Sequence, residues 1–467
     1  MPESNNAPSP DVPVDEKMKE GVALLMGDPK KAILKLSGPM IVAMLLMSTY
    51  NIVNAIWVAG LGSDALAAVG FVTPLFMILM GGASGLGAGV ASVISRRIGA
   101  KDKAGADNAA SHAIVMTLLL SAVLTVPLIL LTEPIVILFG AGETTALATE
   151  YGQVIFVGMF FILFTNIGYA ILRAEGDTKR AMYAMAASSI LNMVLDPLLI
   201  YTAGMGISGA AWGMVISLAM VSCVMFYWLV FRKDTYVTLS FRAFAWHGRT
   251  IRDILGVGLP ASVEFFLMSI IAIFINGLLV ITAGTDAVAV YTAGWRVIFF
   301  AIIPLVGIST SLISVAGAAY GARMFGKIRV AHTFSVMFGV GIALATSIIT
   351  FLFAGQIAMI FSYSADSAHL MPEIALFLAT MCLFYPFVPP GIMSGSIFQA
   401  TGKGLTSLAI TLMRNLLFIA VFTYLFGIVL GYGEHGVWWG IVAGDIIGGT
   451  VAFVWARYYI ARLIATG

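Results

Sequence analysis

The sequence predicts an all-α polytopic membrane protein, with twelve transmembrane helices in two six-helix bundles related by pseudo-two-fold symmetry. Of its 467 residues, 60% are hydrophobic and only 10% are charged, a balance outside the range of soluble globular proteins. Apolar runs of about 20 residues, each long enough to cross a hydrocarbon core, recur along the whole chain. The second half also repeats motifs of the first. Because lipid offers the backbone no hydrogen-bond partners, and no strand-like alternation is visible, the spans are predicted to be helices.

The first segment, residues 1–30, is hydrophilic and resembles neither a signal peptide nor a transit peptide, so we expect it to stay in the cytosol. A basic linker at 232–252 divides the rest into an N-lobe at 31–231 and a C-lobe at 253–467. The predicted spans cover residues 33–57, 66–95, 110–131, 151–172, 181–202, 207–231, 253–282, 287–318, 332–354, 373–399, 405–428 and 436–460.

The placement of the basic residues predicts the orientation of the chain. Apart from Arg296 and Arg414, lysine and arginine lie at or near the two chain ends and in every second loop, as in SRRIGAKDK and RAEGDTKR. The opposite set of loops has none. By the positive-inside rule, both termini face the cytoplasm and the protein is a multi-pass protein of the cell membrane.

Internal repeats predict the two lobes. The motif GSDALAAV at Gly62 returns as GTDAVAVY at Gly284, and ILRAEG at Ile171 is answered by IFQATG at Ile397. Each half contains six spans, an even number, so both halves enter the membrane from the same side and are related by an axis along its normal. Parallel halves of this kind leave a central cleft, which favours alternating access over a simple pore.

Asp196, in the stretch LNMVLDPLLIY, places a carboxylate inside an otherwise apolar span. It lies about 15 residues into span 5, in the predicted outer half of the membrane. A charge near the membrane centre costs about 2.5 to 3.5 kcal/mol, so an acid at this depth indicates function. Asn192 lies one turn earlier on the same face, and Pro197 frees the carbonyl of Met193 from its helical donor. The carboxyl group of Asp196 is predicted to exchange a proton or bind a sodium ion. The alternative is a simple helix kink in which the acid is hydrogen-bonded and has no role in transport.

Span 1 contains a proline and several polar side chains. Pro39 lies near the inner end and can kink the helix, whereas Tyr50 and Asn54 lie near the outer end, with Asn54 at a depth similar to that of Asp196. Asn166 in span 4 is a further candidate for lining a cavity. For polar residues this close to an interface, contact with lipid headgroups is the alternative.

The second half has its own intramembrane charges. Arg414 and Asp445 both fall about nine residues into their spans from opposite faces, so their depths fit a structural ion pair. Glu264 is either a second proton or substrate site or the partner of Arg296. Phe422 stands where the repeat would match Asp196, so the lobes are predicted to differ in function.

No enzyme constellation, cofactor site or nucleic-acid partner is predicted. The two cysteines, Cys223 and Cys382, lie far apart in apolar runs and are interpreted as packing residues. The glycines of GGASGLGAG permit close helix approach, and no GKS or GKT follows to make a phosphate loop. The histidines are scattered without metal-ligand spacing, at His112, His247, His332, His369 and His435.

Several long motifs occur in the order typical of the multidrug and toxic compound extrusion (MATE) family. They are GDPKKAILKLSGPM, YNIVNAIWVAGLGSDALAAVG, SRRIGAKD, ILRAEGDTKRAM, LNMVLDPLLIY, WRVIFFAIIP and AAYGAR. The chain resembles this family from about Pro29 to its end, and within the family it is most similar to the DinF-like branch.

This resemblance implies twelve helices in a V and export of organic, often cationic, compounds in exchange for protons or sodium ions. The family site uses acids on spans 1 and 5, an asparagine on span 5 and a hydroxyl on span 6. Asp196 and Asn192 match the span 5 pair, and Pro39 matches the span 1 proline associated with bending. Tyr151 and Asn166 fall where relatives place polar groups that line the cavity, to which we add Tyr50.

Two departures affect the choice of ion. Asn54 stands where relatives carry aspartate, and Met214 where they carry threonine. Asp196, Asn192 and Asn54 remain as a possible sodium site, but the loss of one carboxylate and one hydroxyl favours protons.

The predicted function is therefore secondary active efflux by a monomer, with a small organic molecule as substrate, membrane lipids as surroundings, and Asp196 as the coupling carboxylate. The nearest alternative is a flippase for a lipid or lipid-linked sugar, which would be expected to line its cleft with several arginines. Only Arg296 and Arg414 are available for that role. A major facilitator transporter and a membrane-embedded transferase fit less well, because their signature residues are absent.

Overall fold

The computed structural model describes residues 16–232, 235–239, 246–362 and 368–466. These residues are almost entirely helical, and no strand occurs among them. The predicted cytosolic segment therefore lies partly outside the described residues, at positions 1–15, and so does part of the predicted linker, at 233–234 and 240–245.

Eleven helices of the described part are long and apolar enough to cross a membrane, and a pair bent by 50° at Gly158 makes a twelfth span. The predicted twelve spans are thereby confirmed. The helices are α1 Glu16–Met26, α2 Pro29–Ala59, α3 Ser63–Gly99, α4 Lys103–Leu138, α5 Thr145–Val157, α6 Met159–Ala174, α7 Thr178–Pro197, α8 Gly206–Phe226, α9 Gly248–Ala283, α10 Thr285–Gly321, α11 Phe325–Leu352, α12 Ala354–Phe361, α13 Met371–Met381, α14 Val388–Ala400, α15 Gly404–Thr411, α16 Ala420–Tyr424 and α17 Gly433–Thr466.

Short turns with other hydrogen-bond patterns join or extend several of these helices. Three are single turns of 3₁₀-helix, at Gly142–Thr144, Ala368–Leu370 and Tyr385–Phe387. Four are π-helical stretches, at Leu198–Thr202, Tyr227–Arg232, Leu412–Ile419 and Leu425–Val429. Predicted span 10 corresponds to one span, Ala368–Ala400, whose α-helix is interrupted between α13 and α14; Pro386 lies in the interruption, and Pro389 and Pro390 lie in the first turn of α14.

Aspartates start three helices at one end of the molecule. The side chains of Asp28, Asp102 and Asp177 accept hydrogen bonds from the backbone amides of Lys30, Gly105 and Arg180 at 3.0, 2.8 and 3.1 Å. These caps lie in or beside the lysine- and arginine-rich loops. We call this side of the molecule, with the turns at 100–102, 175–177, 322–324 and 401–403, the basic end.

Most helices pack within their own chain half, and the two bundles meet through α2, which runs against α10, and through α3, which runs against α9 and α10. The predicted glycine cluster permits this approach: a methyl group at Gly85 or Gly89 would collide with the α9 backbone at Ser262 or Ile254. Ser92 Oγ also donates to the Gln399 carbonyl at 2.5 Å.

The repeat is visible where α3 crosses α10. A methyl group at Gly99 would come within 2.7 Å of the carbonyl carbon of Ala318, and one at Gly321 within 2.8 Å of that of Arg96. Gly99 and Gly321 are equivalent positions of the repeat, so the contact is reciprocal about the pseudo-two-fold axis. The bundles are therefore in closest contact at the basic end.

An additional helix, α1, connects the two bundles at the basic end. Its Leu25 is buried, and its Gly21 packs directly on Gly176 in the turn between α6 and α7 of the first bundle. The amine of Lys327, on α11 of the second bundle, donates to the carbonyls of Met26 and, at 2.9 Å, Gly27. This helix was not predicted, because at 11 residues it is short and has no span-like apolar run.

Candidate functional site

Asp196 is completely buried one residue before the proline that ends α7. It lies about 27 Å along α7 from Thr178, and thus far from the basic end. Pro197 is followed by the π-helical turn Leu198–Thr202, so the predicted disturbance of the backbone occurs directly after the acid. A carboxylate at this depth needs hydrogen-bond donors.

Two asparagines supply those donors from two helices. Asn54 Nδ2 on α2 donates to Asp196 Oδ2 at 2.6 Å. With the Asn192 amide oriented to satisfy its hydrogen bonds, its nitrogen donates to Asp196 Oδ1 at 2.6 Å, and its oxygen accepts from the Tyr50 hydroxyl at 3.1 Å. The carboxylate therefore ties α2 to α7.

The third wall of the site is the backbone of α8. Gly213 lies against Asp196 Oδ1, and any side chain at this position would collide with the carboxylate. The sequence reading missed Gly213; it followed the neighbouring Met214, which is half-buried in an apolar cluster and supplies no oxygen to the site. The only signal in the sequence was the small-residue motif GAAWG that contains Gly213.

The remaining first-bundle candidates have different surroundings. Tyr151 lies within electrostatic range of Asp196 and packs against the apolar cluster that also contains Met214. Asn166 donates its amide to the Ile162 carbonyl of its own helix at 2.9 Å, and so is not brought into the Asp196 group. Pro39 lies inside α2, which continues through it as one helix.

A second carboxylate, Glu264 on α9, is bound by neutral partners. Its Oε1 accepts from Ser407 Oγ at 2.8 Å, and its Oε2 accepts from Gln399 Nε2 at 3.4 Å. The alternative prediction that Glu264 pairs with Arg296 is therefore wrong. Ser407 and Gln399 were missed because single neutral polar residues in a span carry no periodic signal, although Gln399 belongs to the repeated motif IFQATG.

The structure brings Arg414 and Asp445 together. Arg414 Nε lies 3.6 Å from Asp445 Oδ1, and both residues are buried. Arg414 belongs to the π-helical stretch Leu412–Ile419, and Gly448 on α17 leaves room for its side chain. The contact joins two helices of the second bundle, and each charge has its opposite within the protein.

Arg296 lacks an acidic partner among the described residues, and its side chain is exposed. It lies 11 residues, or about 16 Å, along α10 from Thr285, at a depth where a lipid-facing arginine would be costly. Gly307, three helical turns away on the same face, packs against Ile41 of α2. Arg296 therefore lies on the same side of α10 as the residue that contacts the first bundle further along the helix.

Comparison with known proteins identifies relatives along nearly the whole chain. A family model described as MatE matches residues 39–198 and 260–425. The multidrug export protein MepA of Staphylococcus saprophyticus is 28% identical over 423 residues, which cover 89% of this chain and 91% of that protein.

Solved structures are more similar still. A multidrug resistance MATE family transporter of the MOP superfamily, in an outward-facing conformation, is 42% identical with a TM-score of 0.93, covering 97% of this chain and all of that one. A MOP superfamily transporter from Pyrococcus furiosus is 41% identical with a TM-score of 0.92, covering 96% and 99% of the two chains. Its structure is described as having a binding pocket of reverse polarity that suggests a different function.

Proposed function

Because the chain belongs to the MatE family of membrane transporters, we propose that it exports organic, often cationic, molecules in exchange for protons or sodium ions, with Asp196 as the coupling carboxylate. Family membership makes the protein a transporter and not an enzyme, in agreement with the sequence prediction. The main support for ion coupling at Asp196 is that its buried carboxylate accepts hydrogen bonds from Asn54 on α2 and Asn192 on α7.

Neutralising Asp196 would change this arrangement directly. An ionised carboxylate accepts both amide N–H groups, but a protonated carboxyl is itself a donor from one oxygen. One asparagine must then turn its carbonyl toward the acid or lose its hydrogen bond. Because the two asparagines come from different helices, proton uptake alters the connection between α2 and α7.

Protons fit the site better than sodium. The described side-chain oxygens near the acid come from one carboxylate, two amides and the Tyr50 hydroxyl, and Met214 contributes none. The Asn54 amide presents its nitrogen to the acid, which suits a carboxylate that takes up a proton. We therefore propose proton coupling.

The transport cycle follows from the orientation of the bundles. The basic end is assigned to the cytoplasm by the positive-inside rule, and because the bundles are in close contact there we propose that this conformation opens toward the outside. A proton from outside reaches Asp196, α2 rearranges, and cargo leaves through the outer opening. The two bundles then rock so that the site opens to the cytoplasm. New cargo binds, the proton is released to the cytoplasm, and the cycle is complete. One chain supplies both bundles, so the working unit is a monomer.

The test is efflux of a cationic dye from proteoliposomes under an imposed pH or sodium gradient. We expect Asp196→Asn to reduce gradient-driven efflux to the passive leak while the protein folds and inserts normally. Asp64→Asn removes an exposed acid at the outer start of α3 and is the matched control. Undiminished efflux in Asp196→Asn would move the coupling role elsewhere, with Glu264 as the next candidate. Asn54→Asp, which restores a second acid, tests whether sodium coupling then appears.

Arg296 favours a second candidate function, the movement of an anionic lipid or lipid-linked substrate. An exposed guanidinium inside a span, without an acidic partner among the described residues, attracts phosphate and repels organic cations. If the substrate is anionic, Arg296→Gln abolishes transfer of a fluorescent anionic lipid between leaflets. If the substrate is cationic, the same variant leaves dye efflux equal or higher.

A further inference from the structure

A charged cavity lies at the basic end, on the seam between the two bundles and away from the Asp196 site. Its volume is about 270 Å³. The end of α3 contributes one wall and the start of α9 the other, and the lining residues are Val93, Arg96, Arg97, Arg249 and Asp253. We call it the seam pocket. Three guanidinium groups from two bundles therefore converge on one small space.

The carboxylates of the described residues do not balance these arginines. Arg97 Nη1 pairs with Asp102 Oδ2 at 2.8 Å, and Asp253 interacts electrostatically with Arg96. Arg249 is exposed and has no carboxylate within ion-pair distance among the described residues. The pocket therefore has one more positive charge than the nearby carboxylates neutralise, and this charge is on Arg249.

Arg96 is held in place before any ligand binds. Its Nε donates to the Ser92 carbonyl at 3.1 Å. The turn at Gly402, from the second bundle, closes over its guanidinium: a methyl group there would lie 2.7 Å from Nη1. Gly402 has a φ of +80°, which favours glycine, so the turn can approach this closely. A fixed guanidinium loses less entropy when it binds an anion.

We propose that the seam pocket binds the phosphate of an anionic lipid headgroup. Guanidinium groups bind phosphate oxygens through paired hydrogen bonds. The single carboxylate of Asp253 cannot neutralise all three arginines that meet in the pocket. The height also fits, because Arg97 lies two residues before the end of α3 and Arg249 one residue after the start of α9. Helix ends of spans lie at the headgroup level of the bilayer.

A headgroup bound in the seam pocket would affect the contact between the two bundles. Its arginines belong to α3 of one bundle and α9 of the other, so one phosphate contacts both. A ligand that requires both walls stabilises only the conformation in which they are together. Anionic lipid would then favour closure of the basic end. This consequence rests on the proposed transport cycle, whereas binding itself does not.

Binding is tested without transport, by native mass spectrometry of purified protein after reconstitution in phosphatidylcholine that contains phosphatidylglycerol. We expect Arg249→Gln to lower retention of phosphatidylglycerol about tenfold, because the bound phosphate loses its direct hydrogen bonds to one guanidinium. Arg252→Gln removes an exposed charge one turn further along α9, outside the pocket lining, and should retain lipid as the wild type does. Asp253→Asn, which removes the opposing carboxylate, should raise retention.

Two further outcomes separate the possible anions and decide the proposal. Inorganic phosphate added to protein in the same mixture of phosphatidylcholine and phosphatidylglycerol serves as the soluble competitor. If phosphate displaces phosphatidylglycerol from the wild type but not from Arg249→Gln, the shared phosphate chemistry is supported. Equal retention of phosphatidylglycerol by wild type, Arg249→Gln and Asp253→Asn would overturn the proposal, and so would an equal loss in Arg249→Gln and Arg252→Gln.

Discussion

At Asp196, a single carboxylate connects three helices. Asn54 and Asn192 donate to it from α2 and α7, and the backbone at Gly213 of α8 packs against it. Hydrogen bonds to a charged group contribute about 1.5 to 3 kcal/mol, more than neutral ones. A change of charge on this one residue therefore alters the contacts of several helices at once.

Gly213 provides a test that leaves every ionisable group in place. We expect Gly213→Ala to displace the carboxylate and to reduce proton-driven dye efflux about tenfold, since overpacking of this kind costs about 1 to 3 kcal/mol. Gly82→Ala is the control, because nothing lies within 4 Å of a methyl group there. Efflux by Gly213→Ala at the wild-type rate would show that the position of the carboxylate is not critical.

Glu175, in the turn between α6 and α7, predicts a pH dependence of stability. Burial raises the pKa of its carboxyl from 4.5 to about 8, although the Val237 amide, which donates to it at 2.9 Å, acts in the opposite direction. Between these values the folded state binds more protons than the unfolded state, so stability falls as pH rises from about 4.5 to about 8.

We expect Glu175→Gln to flatten this pH profile, because the amide cannot ionise. The measurement is the thermal unfolding midpoint of the detergent-solubilised protein from pH 5 to pH 9, with the exposed Glu143→Gln as control. A slope that persists unchanged in Glu175→Gln would assign the effect to another group.

Among the elements, α2 has two unequal halves. Its half toward the basic end is packed into the core, whereas beyond Ala43 the helix has a single buried residue, Val58. The exposed half is held by the Asn54 hydrogen bond to Asp196 and by the Tyr201 hydroxyl, which donates to the Trp57 carbonyl at 2.6 Å. Release of the Asp196 contact would remove one of these two hydrogen bonds and so favour a bend at Pro39.

Pro39→Ala tests that bend. Alanine restores the N–H that proline lacks and stiffens the helix, since proline inside a helix costs about 3 kcal/mol. We expect a more stable protein with slower proton-driven efflux. Pro74→Ala, inside α3, is the control for a helix without the coupling contact. Wild-type efflux by Pro39→Ala would argue that α2 moves as a rigid rod.

The elements also show what the sequence could reveal. Hydropathy was sufficient for twelve spans, because a membrane crossing needs a long apolar run whatever its neighbours. It could not place the break between α13 and α14 or the helix α1, which depend on prolines and tertiary contacts. At the site, the costly residue Asp196 was visible as a charge in an apolar run. Gly213 and Ser407 were not, because they matter only through the atoms packed against them.

At the scale of the whole molecule, the repeat explains the close contact between the bundles at the basic end. Equivalent glycines, Gly99 and Gly321, let the two bundles cross reciprocally at the basic end, and α1 spans the same seam. The two halves nevertheless differ in their acids: Asp196 is bound by two amides, whereas Glu264 is bound by Ser407 and Gln399. A symmetric scaffold thus carries an asymmetric pair of carboxylate sites, and the coupling role is proposed for one of them.

The most direct test of this account is proton movement driven by substrate. A gradient of an organic cation is imposed across proteoliposomes without a pH gradient, and the internal pH is followed with a fluorescent indicator for wild type and Asp196→Asn. We expect the wild type to move protons against the flow of the cation and Asp196→Asn to move none beyond the passive leak. Equal proton movement by the two proteins would contradict the central claim that Asp196 couples ion flow to export.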